Sequence, residues 1–248
     1  MSTTASKQRS RPSIEPPSAF PMDWPFVERV IRSPHARTIY LWGPPGIGKT
    51  HVAYHCSADR PVFAVTVTED TASQELRGHW LPKGREMVWH DGPVTAAMRV
   101  GGRLVINELT HCGPEVHTLL HPVLEQISTA RLTLPTNETI RPAPGFQVIC
   151  TDNAPPEDLP LALRDRFDSI LEVREPHPAA LELLSERLRR AFQRLWNVEP
   201  DRQIGLRAWL SLQRFERELG LKGACLAVFG PHRGSLLYDA IVLGEAQN

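Results

Sequence analysis

Gly43, Pro44, Pro45, Gly46, Ile47, Gly48, Lys49 and Thr50 stand consecutively in a chain of 248 residues. Glycines at both ends of the run, closed by a Lys-Thr pair, have the spacing of a phosphate-binding loop. The glycines let the backbone wrap closely and aim its N–H groups at an anion. A helix beginning there adds its positive end. Lys49 then reaches the β- and γ-phosphates of a nucleotide, and Thr50 offers its hydroxyl to Mg²⁺. A glycine-rich turn without a ligand is the plain alternative, and it leaves the Lys-Thr pair unexplained. Further along, Asn107-Glu108 ends one apolar run and Asn153 follows another. Arg164 and Arg166 precede a third such run, and Arg233 lies in Gly-Pro-His-Arg-Gly. In an open parallel sheet, ligand chemistry collects at the carboxyl ends of the strands.

The elements that must position these residues follow from pattern. Residues 37–42 read as a first core strand and 51–58 as a helix without breakers. Residues 61–68, rich in β-branched side chains, read as a second strand. Such a βαβ unit implies a parallel sheet with a right-handed crossover. Two apolar-alternating arms around Pro82-Lys83-Gly84 predict a hairpin. Asp91 is a candidate N-cap for a helix over 94–100, which Gly101-Gly102 stops. A third strand is expected at 103–108, a helix at 115–127 despite Pro122, and a second hairpin over 131–141. Strands at 146–151 and 167–173 bracket a short helix at 160–166. From 176 the pattern is helical, with pieces at 179–195, 201–219, 221–228 and 235–243. The expected organisation is a disordered Pro/Ser-rich tail over 1–22, an α/β core over 23–175 and a helical lid over 176–248. The helix at 26–31, just ahead of the first strand, could pack near a bound base or simply into the core.

Lysine plus arginine and aspartate plus glutamate balance at 28 each, for a net charge of zero. That speaks against a general basic surface for nucleic acid, although a local basic loop remains open. Cys56, Cys112, Cys150 and Cys225 are far apart with no CxxC, so neither a zinc site nor a disulfide framework is expected. This usage fits a reducing cytoplasm, and no apolar run reaches membrane-spanning length. The start of the chain lacks the apolar core of a signal peptide. His117 and His121 are four apart on one helical face, but a lone pair lacks a third metal ligand.

Taken in order, this set resembles the AAA+ ATPases, and most of all the MoxR-type branch with its CbbQ/NorQ-like activases. The resemblance covers about residues 26–243. Glu75-Leu76-x-Gly78 with Asp91-Gly92-Pro93-Val94 resembles that branch's insert. The 131–141 hairpin sits where the branch has its second hairpin, and Leu163-Arg164-Asp165-Arg166-Phe167 is similar to its arginine-finger turn. The resemblance implies a P-loop NTPase fold: a five-stranded parallel core sheet flanked by helices, two β-hairpin inserts and a small helical lid. It implies ATP and Mg²⁺ as ligands, held by Gly43, Pro44, Pro45, Gly46, Ile47, Gly48, Lys49, Thr50 and His51. It implies that Glu108 polarises the attacking water, that Asn153 orients it, and that Arg166, preferred to Arg164, reaches a neighbouring subunit's ATP. Arg233 is implied as the lid arginine. It further implies ATP hydrolysis in a homo-oligomeric ring, with six subunits the expected size, acting as chaperone or activator on a partner protein. A von Willebrand A-domain protein is the common partner of such relatives. One position departs from the family: Asn107 stands where an aspartate is usual, so it brings no charge to Mg²⁺ and its role there is indirect. Two other readings stay open, a nucleotide-gated assembly module with weak turnover and a nucleic-acid motor.

Overall fold

All but the last residue of strand β1 (Thr38–Trp42) are buried, as expected of a strand covered on both faces. The protein is described here by a computed structural model covering residues 22–57, 59–196 and 204–246. β1 lies inside a five-stranded sheet with β2 (Val62–Thr66), β5 (Arg103–Asn107), β8 (Gln147–Asp152) and β9 (Ser169–Glu172). The strand order is β2-β5-β8-β1-β9, and every pairing is parallel. Side chains alternate between two apolar layers. Ile39, Leu41, Val105 and Ile149 belong to one cluster, while Tyr40, Leu104, Ile106, Val148 and Cys150 belong to the other.

Helices α1 (Trp24–Arg32) and α2 (Lys49–His55) cover the first face, and the C-terminal helices pack into the same cluster. Trp24, Val27 and Ile31 of α1 are buried there, so this helix is a core-packing element. Asp23 caps it, accepting from the Phe26 N–H at 2.8 Å. The second face is covered by α4 (Pro93–Val100), α5 (Pro114–Leu124) and the short α3 (Ser73–Arg77) and α6 (Leu161–Arg164). Two antiparallel hairpins stand apart from the main sheet. One pairs β3 (Gly78–Lys83) with β4 (Glu86–Asp91), the other β6 (Leu132–Thr133) with β7 (Thr139–Ile140).

Several expectations need correction. Helix α3 was not anticipated; its five residues are too few to show a period. Asp91 is not a cap: α4 starts from Gly92, and the Asp91 carboxylate instead receives the Trp89 indole N–H and the Arg99 Nε–H. The helix expected at 179–195 is two, α7 (Pro178–Leu181) and α8 (Glu186–Trp196). Gln213 explains the break, because its side chain donates to the Leu183 carbonyl at 2.9 Å and accepts from the Ser185 N–H. It thereby satisfies backbone groups that a continuous helix would have paired internally. The last element, α9 (Leu206–Ala246), is broken at Gly220 and Gly230, close to the expected divisions. All of the expected tail over 1–22 but Met22, and the 201 start of the lid helix, lie outside the described residues.

One buried side chain joins these layers behind the loop. Arg103, fully buried on β5, donates to the Ala53 and Cys56 carbonyls at the end of α2 and to Gln147 on β8. Gln147 in turn donates to the Ile31 and Ala36 carbonyls, both at 2.9 Å. The far end of α2 is thus tied to the sheet, which leaves its first turn facing the strand ends.

Candidate functional site

The glycine-rich stretch begins where β1 ends. Gly43, Gly46 and Gly48 have φ of 146°, 73° and 111°, values that side chains rarely permit. Space is equally short. A Cβ on Gly43 would stand 1.9 Å from the Val173 carbonyl oxygen, and one on Gly48 would stand 2.9 Å from the His177 Cβ. Ile47 is fully buried and anchors the loop from behind. Its carbonyl accepts from the His177 N–H at 2.8 Å, which fastens the start of the C-terminal helices to the loop.

Lys49 is 7% exposed. Its ammonium donates to the Gly43 and Pro44 carbonyls at 2.7 and 2.6 Å and to Asn153 Oδ1 at 3.0 Å. Burial lowers its pKa to about 8, against the opposing pull of the Glu108 and Asp152 carboxylates. Asn153 extends the chain of contacts: its Nδ2 donates to both Glu108 carboxylate oxygens at 3.2 Å. Glu108 itself has φ of 61°, a left-handed conformation unusual for a side chain of its size.

Thr50 and Asn107 form the other half of the site. The Thr50 hydroxyl donates to Asn107 Oδ1 at 3.2 Å, and the Thr151 hydroxyl donates to the same oxygen at 2.8 Å. Asn107 Nδ2 faces the Val65 carbonyl at 3.4 Å. Its amide oxygen therefore already serves two hydroxyls. A Thr50 hydroxyl that gives its proton to Asn107 keeps its lone pairs free for a cation, so this pair fits Mg²⁺ through Thr50. Among the described residues there is no cluster of three metal-ligating side chains; His117 and His121 each keep one buried, unpartnered ring nitrogen.

These residues open on a cleft of about 930 Å³. Pro45, Gly46, Gly48, Lys49, Thr50, His51, Glu108, Thr151 and Asn153 line it from the sheet side. Ala179, Ala180, Leu183, Leu206 and Leu210 line it from the C-terminal helices, with Arg207, Gln213 and Arg214. The apolar wall suits a base and the glycine-rich wall suits phosphates. The His51 and His55 rings lie with centroids 4.5 Å apart, their planes tilted by 45°. Burial, then His55 and His177, keep the His51 pKa below its usual value.

Arg166 and Arg233 are not part of this lining. Arg166 is half-buried and pairs with Glu125, its Nη2 lying 2.7 Å from the carboxylate. Arg233 is exposed on α9, beyond the Gly230 break. The cations that the C-terminal helices do bring to the cleft, Arg207 and Arg214, escaped the sequence reading. Their seven-residue spacing, two helical turns, was the available signal. Thr151 also escaped it, because a hydroxyl inside a buried strand carries no motif.

The parallel sheet, the P-loop at the end of β1 and the polar strand ends define a P-loop protein with the AAA fold. The family described as AAA domain (dynein-related subfamily) matches residues 38–167, and the chain belongs to that family. Among curated proteins it is similar to Protein NorQ of Paracoccus denitrificans, 35% identical over 178 residues, 68% of this chain and 61% of that protein. Denitrification regulatory protein NirQ of Pseudomonas aeruginosa is 28% identical over 152 residues, 59% of this chain and 57% of that one. NirQ of Stutzerimonas stutzeri is 27% identical over 121 residues, 48% and 44% respectively. The chain thus spans between two fifths and two thirds of the length of these relatives. The likeness places it with the NorQ/NirQ, MoxR-type AAA+ ATPases.

Proposed function

We propose that this chain binds ATP with Mg²⁺, hydrolyses it to ADP and phosphate at the subunit interfaces of a ring, and uses the turnover to remodel or activate a partner protein. The observation that supports this best is the contact line Glu108–Asn153–Lys49 at the mouth of the cleft. Phosphoryl transfer to water asks for a placed water and for positive charge on the γ-phosphate oxygens. Glu108 supplies a base beside the cleft, Asn153 an amide that can hold water, and Lys49 the charge. Gly43 to His51 would wrap the phosphates, and Thr50, itself held by Asn107, would hold Mg²⁺. When bound, the cation would supply charge neutralisation at the phosphates. Arg166, outside its own subunit's cleft, is in our reading the finger offered to a neighbour's ATP. We take residues 23–175 as the core and 176–248 as the lid, and assign the lid's contact with nucleotide to Arg207 and Arg214 ahead of Arg233. A six-membered ring and a von Willebrand A-domain partner belong to this reading on the strength of the MoxR-type resemblance alone, and a cytoplasmic setting on the scattered free cysteines.

The test is the ATPase rate per subunit as protein concentration rises, with Glu108→Gln as control. A rate that climbs with concentration and disappears in the control supports interface catalysis. A rate that does not depend on concentration, or survives in the control, counts against it.

Asn107 favours one second reading, a nucleotide-gated assembly module with slow turnover. Asn107→Asp would restore a charge beside Thr50. Under this reading it raises turnover at least several-fold and lowers the Mg²⁺ needed for half-maximal rate. An unchanged Mg²⁺ titration leaves the reading without its motive.

A further inference from the structure

Asp152 closes β8, one residue before Asn153, and is 1% exposed. A carboxylate buried this deeply is costly unless its oxygens are met by donors. They are met four times. Oδ1 accepts from the Asn153 N–H at 2.7 Å, the Ala154 N–H at 3.1 Å and the Thr110 hydroxyl at 3.0 Å. Oδ2 accepts from the Thr110 N–H at 2.7 Å. The Asp152 carbonyl also receives the Gly43 N–H at 3.3 Å. These partners come from two places. Thr110 sits in the 3₁₀ turn Leu109–His111, which follows Glu108 directly. Asn153 and Ala154 begin the segment after β8. One side chain therefore ties the strand end bearing Glu108 to the strand end bearing Asn153.

The tie has a geometric effect. The left-handed backbone of Glu108 must be imposed by its surroundings. Its N–H is fixed on the Thr151 carbonyl at 2.8 Å, and its carbonyl accepts from the His111 N–H at 2.9 Å. With Thr110 gripped at both its N–H and its hydroxyl, the turn cannot relax back towards an extended strand. We propose that Asp152 is a positioning residue, a buried carboxylate clamp that sets Glu108 and Asn153 for handling the attacking water without touching nucleotide. The inference rests on the hydrolytic reading above. It adds to that reading the group that holds its two water-handling residues in register.

The test uses the full chain and compares Asp152→Asn, Thr110→Val and Thr110→Ser with the wild type and Glu108→Gln. Three quantities are read: affinity for a fluorescent ADP analogue, kcat and KM for ATP, and retention of ADP with aluminium fluoride. The last mimics the in-line state and needs no turnover. In Asp152→Asn, ADP affinity and KM stay within about twofold while kcat falls about tenfold to a hundredfold, the scale of a displaced reacting group. Aluminium fluoride retention falls with it. Thr110→Val removes the hydroxyl alone and lowers kcat in the same direction by less, and Thr110→Ser restores it. A folded Asp152→Asn with unchanged kcat, or with ADP affinity and kcat lost in equal measure, overturns the clamp and leaves hydrolysis standing. Should Asp152→Asn fail to fold, the Thr110 pair decides, and equal kcat in Val and Ser variants overturns it. A wild type that neither turns over nor retains ADP with aluminium fluoride removes the hydrolytic reading, and the clamp with it.

Discussion

Lys49 carries the site's most testable electrostatics. Its pKa is lowered from 10.5 to about 8, first by burial. In the free folded chain it loses its proton before it would in the unfolded chain, so its contribution to stability grows as pH rises from about 8 towards 10.5. Nucleotide phosphates reverse the preference by favouring the charged form. ADP binding at pH 8.5 should therefore take up a proton, up to about one per site, and affinity should fall as pH climbs past 8. Calorimetry in buffers of different ionisation enthalpy reads this uptake, and none at pH 8.5 would mean that Lys49 is already fully charged in the free chain or does not meet the phosphates. Residues of this kind were legible in the sequence because phosphate binding needs glycines, a lysine and a hydroxyl at fixed spacing. Asp152 and Thr151 were not, because their work is done by contacts between strands brought together only by folding.

At the scale of elements, the loop and the C-terminal helices are joined where Gly48 meets His177. Gly48→Ala would place a Cβ 2.9 Å from the His177 side chain at a φ of 111°. The expected cost is about 1–3 kcal/mol, the range for a strained backbone position, read as a lower urea midpoint at unchanged slope. An unaltered midpoint would show that the loop accommodates the methyl. The five core strands were legible because buried parallel strands read as apolar runs ending in polar residues. The interruption of the helix over 179–195 was not. Its cause is Gln213, about 30 residues away, whose amide replaces the helical hydrogen bonds of Leu183 and Ser185. The β3–β4 hairpin was legible from its alternation, yet its exposed Trp80, Leu81, Met87 and Val88 could not be told from core residues by type.

At the scale of the whole molecule, the proposed ring depends on Arg166. Arg166→Ala removes a partly exposed pair with Glu125, which should cost no more than about 1 kcal/mol of stability. Turnover at saturating protein should fall far more, on the order of a thousandfold for an arginine finger, with ADP affinity kept. Sedimentation together with steady-state rates checks this, and full activity in the variant would remove the interface from the mechanism.

The strand order also governs how such a chain can be made. β1, which launches the phosphate loop, has only β8 and β9 as neighbours. Its Thr38 hydroxyl is tied to Asp168, 130 residues further on. During synthesis at about 5–20 residues per second, β1 therefore waits on the order of ten seconds for its first partner strands. Throughout that time Ile39, Tyr40 and Leu41 form an unpaired apolar edge, open to wrong pairing. The segment that defines the site leaves the ribosome well before the strands that hold it in place, and long-range parallel pairing is slow to close. A nascent chain that stops before Gln147 contains the whole glycine-rich motif and lacks both strands that flank β1.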